Sequence, residues 1–106
     1  MSTLLWLFLA AALEAGGDAV VRTGLRSAGG LKAAWFLAGA LVLFAYGYTV
    51  NTPQWNFGRL LGVYVTLFFL IAQLIAWIFF HETPGRGILL GGALILTGGA
   101  VITFWR

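Results

Sequence analysis

The chain has no cysteine, one histidine, two prolines and a charged fraction of only 8%. Without cysteine there is no disulfide, no thiolate chemistry and no sign of redox compartment. The shortage of charge excludes a water-soluble surface. Soluble domains carry about 25% charged residues, and six basic and three acidic side chains cannot cover a chain of 106 residues. A soluble fold would have to bury apolar helices on all sides, and one small domain has too little interior for that. The formal charge is +3 and the pI about 10.0, but the basic residues are scattered, with no patch and no interleaved aromatics. Nucleic acid is therefore not an expected partner. No His/Asp/Glu cluster has metal-ligand spacing. No nucleophile stands near a base, and no glycine-rich loop is placed to cradle phosphate. His81 beside Glu82 reads as a boundary residue. No enzyme activity, metal or cofactor is expected.

What the chain does have is apolar residue, 61% of the total, in long uninterrupted runs. These read as helices at about 3–21, 32–48, 57–80 and 88–105, each near the 17 to 25 residues that cross about 30 Å of hydrocarbon. The expected fold is an all-α integral membrane protein, one four-helix transmembrane domain over 1–106. Backbone groups in lipid must be satisfied internally, which favours helices, and four strands could not close a barrel. The connections carry breaker signals: two Arg, Ser27 and three Gly in 22–30, Asn51, Thr52 and Pro53 in 49–56, Pro84 and two Gly in 81–87. The first apolar run lacks a basic leader and runs into Glu14 and Asp18, so it reads as a retained helix. Trp6, Trp35, Tyr48, Trp55 and Trp105 fall near helix ends, as an aromatic belt requires, whereas Tyr64 and Trp77 lie deeper in helix three.

Four spans put both termini on one side. Arg22, Arg26, Lys32 and Arg86 then face Arg59 and Arg106, a bias that places the termini outside but is weak enough to allow insertion both ways. Dual insertion would lead naturally to an antiparallel homodimer. Four short helices also make too thin a bundle to enclose a substrate and present two gates. A homodimer supplies eight helices and two copies of each site residue.

Glu14 falls near mid-membrane, where a carboxylate is costly and usually faces a cavity or a partner. Asp18 and Arg22 follow at intervals of four, on the same helix face. Leu7, Ala10 and Ala11 continue that face, and Gly16 and Gly17 add room. The stripe is expected to wall a hydrated pocket in which Glu14 holds a proton or a cation but not both, the physical basis of antiport. The alternative is a structural ion pair of Glu14 with Arg22 or Arg59. Asp18 is either a second site acid or the partner that holds Arg22.

Helix three carries Gly62, Thr66, Gln73 and Trp77 on roughly one face, with Arg59 at its start. Such a polar stripe either bonds across helices or lines a cavity. Arg22, Arg59, Thr66 and Gln73 are accordingly candidates for pocket or gating support. Tyr64 could stack on an organic cation, or serve as an ordinary membrane tyrosine. Helix four repeats Gly91 and Gly92 at Gly98 and Gly99, two turns on, a seam expected to pack against its own copy.

These residues resemble the small multidrug resistance family of four-helix bacterial transporters. The likeness rests on the run Leu13–Glu14–Ala15–Gly16–Gly17–Asp18 with Arg22 behind it, the segment from Trp77 to Phe80, and the Gly91/Gly98 seam. The resemblance implies an essential glutamate that binds protons and cationic substrates in turn, and a dimer held through helix four. Tyr64 and Asp18 depart from that family's pocket tryptophan and small hydroxyl residue. The segment at Asn51, Thr52 and Pro53, the pair Gly58–Arg59 and the run Gly62–Val63–Tyr64–Val65 resemble a sister group, the YnfA-like small inner-membrane proteins. Either likeness implies an antiparallel dimer in the bacterial inner membrane. The expected function is proton-coupled export of small organic or aromatic cations. The alternatives are a non-transporting scaffold or assembly protein, or a small channel with Glu14 as its selectivity ring.

Overall fold

A computed structural model describes residues 2–105. Arg106, counted above among the basic residues, lies outside them. Among the described residues there are four helices: α1 (Thr3–Leu25), α2 (Gly30–Val50), α3 (Phe57–Phe80) and α4 (Arg86–Phe104). Each is long and apolar enough to cross a membrane. Leu37, Leu41 and Phe44 on α2, and Leu89, Leu90 and Leu94 on α4, are all more than 60% exposed. In water such surfaces would aggregate; in a bilayer they meet acyl chains.

The chain divides into two compact units, Met1–Pro53 and Gln54–Arg106. The first is the hairpin of α1 and α2. The Ser2 side chain caps α1 by accepting from the Leu5 N–H at 3.3 Å. α1 runs past residue 21, where the apolar run stops, to Leu25. Nothing in Arg22 or Thr23 breaks a helix, and the Thr23 hydroxyl bonds the Ala19 carbonyl one turn back at 2.9 Å. The turn into α2 is tight and passes through Gly29 at φ 67°, ψ −149°, a conformation essentially restricted to glycine.

Lipid supplies no hydrophobic drive for helices to associate, so close packing of small residues must do it. In the hairpin those residues are Gly17, Gly24 and Gly39. A Cβ on Gly17 would lie 2.7 Å from Leu43, one on Gly24 2.8 Å from Phe36, and one on Gly39 2.6 Å from Val21. At the open end of the hairpin the Trp6 indole N–H donates to the Thr49 carbonyl at 2.5 Å.

In the second unit α3 and α4 meet through three points spread along their length. Gly62 lies against Ile102, Gly92 against Phe69, and Gly99 against Thr66. At its far end α3 is stopped by His81, which adopts the left-handed conformation at φ 57°; the His81 and Glu82 N–H groups both point to the Ala76 carbonyl. α4 begins at Arg86 and ends at Phe104, two residues earlier and one earlier than the apolar run suggests.

Candidate functional site

Glu14 sits at the centre of α1, with eleven residues of the helix on either side, 3–13 and 15–25. Leu7, Ala10 and Ala11, on the turns before it, are fully buried. Glu14 itself is half-buried, while Asp18 and Arg22 are exposed. The stripe predicted from the spacing is therefore graded: apolar and closed at its start, accessible toward the end of the helix. Each four-residue step also advances slightly around the axis, because four residues exceed one turn of 3.6. Glu14 thus borders the seam that Gly17 and Val21 make with α2, and Asp18 and Arg22 step away from it. Glu14 and Arg22 are each engaged by a neighbour. Among the described residues, no group of His, Asp and Glu side chains could hold a metal ion.

The candidates on α3 fall on two faces. Gly62 and Thr66 pack against α4, and Arg59 reaches the same helix, its Nη2 donating to the Thr103 carbonyl at 3.1 Å. By helical spacing Gln73, half-buried, continues this face one heptad beyond Thr66. Tyr64 lies nearly opposite. It is 4% exposed, on a face with Leu60, Val63 and Ile71, and its ring stacks on Phe68 with centroids 6.0 Å apart. The arrangement therefore separates Tyr64 from Thr66 and Gln73. The side chain of Thr66 is spent on contact with Gly99 and makes the close approach of α3 and α4.

The glycines of α4 also divide by face. Gly92 and Gly99 are buried against α3, while Gly91 is half-buried and Gly98 exposed, with nothing within 4 Å of where a Cβ would stand. Of the two heptad-spaced pairs, Gly91/Gly98 is the one that α3 leaves uncovered.

Sequence reasoning overlooked a cluster in the second unit. The Arg59 guanidinium lies over the Trp55 ring, 4.5 Å from its centroid, and walls an open groove of about 600 Å³ with Val101, Ile102 and Trp105. The available signal was a tryptophan four residues before an arginine, at the start of an apolar run.

The chain is similar over nearly its whole length to small bacterial membrane proteins. It is 33% identical over 103 residues to a UPF0060 membrane protein of Herpetosiphon aurantiacus, covering 93% of this chain and 91% of the relative. It is 37% identical over 100 residues to the UPF0060 membrane protein YfjF of Bacillus subtilis, covering 92% and 90%. A UPF0060 membrane protein of an Arthrobacter species is 36% identical over 105 residues, covering 96% and 90%. No family model and no solved structure matches the chain.

Proposed function

Because the chain belongs to the UPF0060 membrane protein family, the YnfA-like group, whose names give a location and no reaction, we propose a function from its own residues: proton-coupled export of small organic or aromatic cations. The four apolar helices and the bacterial relatives make it a multi-pass bacterial membrane protein. The proposal places it in the inner membrane as an antiparallel homodimer, with no enzymatic activity, cofactor or nucleic-acid partner.

One observation carries this reading. The only acid in the middle turns of α1 is Glu14, as far from either end of its span as a residue can be, and it is partly accessible. A carboxylate at that depth is expensive unless it serves a polar cavity or a fixed partner. A group that binds a proton and an organic cation by turns can couple their opposite movements. Two copies of the chain would bring two such acids to one pocket, with Asp18 at the accessible end of the stripe. The Gly91/Gly98 strip would form the contact between copies. This is the cycle that the likeness to the small multidrug resistance transporters implies, and alternating access would follow from tilting of helices around the fixed site.

The test is flux in proteoliposomes. A lipophilic aromatic cation such as tetraphenylphosphonium should move against an imposed proton gradient, and Glu14→Gln should stop it. Flux that ignores the gradient would remove the coupling. A Glu14→Gln protein that fails to fold or pair, from a parent that moves no cation, would give the acid to architecture instead.

A further inference from the structure

The Arg59 cluster lies at the start of α3 and the end of α4, the membrane-boundary position for both helices, and past the end of the Gly91/Gly98 strip, which Trp105 continues by one heptad. Its parts are unlike in character. At the top is a guanidinium held on two sides, by the Trp55 ring at 4.5 Å and by the Thr103 carbonyl at 3.1 Å. A guanidinium has five donors in a planar fork, and that carbonyl accepts from one nitrogen. Below it the groove walls are Val101 and Ile102, 48% and 39% exposed, with Trp105 at 76%. A second open groove of about 520 Å³, walled by Thr97, Ala100 and Phe104, shares Val101 and Trp105 with the first. Val101 and Trp105 therefore form a ridge with an apolar channel on each side and one fixed cation at the head of one channel.

We propose that this is a binding site for an anionic phospholipid, with its phosphate on Arg59 and its two acyl chains along the two grooves. The chemistry is complementary at both ends. Arginine matches phosphate with paired, charge-assisted hydrogen bonds. The stack on Trp55 holds the guanidinium before the ligand arrives, so little freedom is lost on binding. Indoles at Trp55 and Trp105 fit the depth of lipid headgroups. The first turn of α3 carries no acidic residue and the Asn56 side chain makes no capping bond, so no carboxylate there offsets the positive charge. A soluble phosphate would use the guanidinium alone and leave both grooves unexplained, which is why the assignment is to a lipid.

The experiment uses the purified full-length protein in phosphatidylcholine nanodiscs, with phosphatidylglycerol titrated in and retention read by native mass spectrometry. Phosphatidylglycerol should be retained over phosphatidylcholine of the same chain length. Arg59→Gln should weaken that retention about fivefold or more, the attraction of one surface cation to an anionic leaflet. Val101→Trp fills both grooves at an exposed position with Arg59 intact, so it should also lose the lipid and keeps the test valid if Arg59→Gln fails to fold. Arg26→Gln, elsewhere in the chain, should change nothing. Equal retention in Arg59→Gln, or full retention in Val101→Trp, would overturn the assignment. So would displacement of the lipid by millimolar inorganic phosphate, which would make the site one for a soluble anion.

Discussion

Replacing Gly99 with alanine should unlock α3 from α4. A Cβ on Gly99 would lie 2.6 Å from the Cβ and 2.8 Å from the Cγ2 of Thr66, and closer still to its hydroxyl. Ordinary carbon contacts fall at about 3.5–4.0 Å, so the shortfall is about 1 Å. Rotating the Thr66 side chain can move the hydroxyl and the methyl but leaves its Cβ in place. The helices must therefore part or slide by about 1 Å at that point, loosening the Gly92–Phe69 contact two turns away. Overpacking of this kind costs about 1–3 kcal/mol, and the helix propensity gained in exchanging glycine for alanine returns at most about 1 kcal/mol. The net expectation is a loss of about 1–2 kcal/mol. It can be read by dodecyl sulfate titration of the protein in mixed micelles, followed by far-ultraviolet circular dichroism. Thr66→Gly removes the obstructing carbon, so adding it to Gly99→Ala should recover at least about 1 kcal/mol of non-additivity in a double-mutant cycle. Gly98→Ala, one residue away with nothing within 4 Å, should be no less stable than the native chain and gain at most about 1 kcal/mol of helix propensity. A Gly99→Ala protein as stable as the native one, or strict additivity with Thr66→Gly, would refute the close approach.

Two further outcomes follow from the same geometry. Gly29→Ala should destabilise the α1–α2 hairpin by about 1–3 kcal/mol, because φ 67° with ψ −149° is strained for any residue with a Cβ; the same titration reads it. Gly98→Leu, on the open face of α4, should leave helix content unchanged but abolish the proposed dimer, as seen by cross-linking or by light scattering in detergent. Dimers that survive Gly98→Leu would move the contact away from α4.

The helices were legible in the sequence because lipid leaves the backbone few choices. Once charge is too sparse for water, long apolar runs must become helices. Their ends were less legible, since composition marks where apolar residues stop and not where backbone bonding does. α1 continues through Arg22 and Thr23 to Leu25 because neither residue interrupts the ladder. The acid stripe could be read directly, because Glu14, Asp18 and Arg22 belong to one helix and their spacing fixes their relation. Residues whose meaning depends on a neighbouring helix could not. Gly91/Gly98 and Gly92/Gly99 have identical spacing, and only the register of α4 on α3 decides that the second pair meets Phe69 and Thr66. Thr66 and Tyr64 are two residues apart, which on a helix puts them on different faces, and only the neighbouring helix decides which face meets what. The Arg59–Trp55 stack needed the turn before α3 to bring the indole under the guanidinium.

In the proposed cycle a carboxyl at the midpoint of α1 exchanges a proton for an organic cation. Adding tetraphenylphosphonium to the purified protein in weakly buffered detergent, with a pH-sensitive dye as readout, tests it without any vesicle. The native protein should release a saturable burst of protons and Glu14→Gln none. Cation binding with no proton release, or equal release from both proteins, would contradict it.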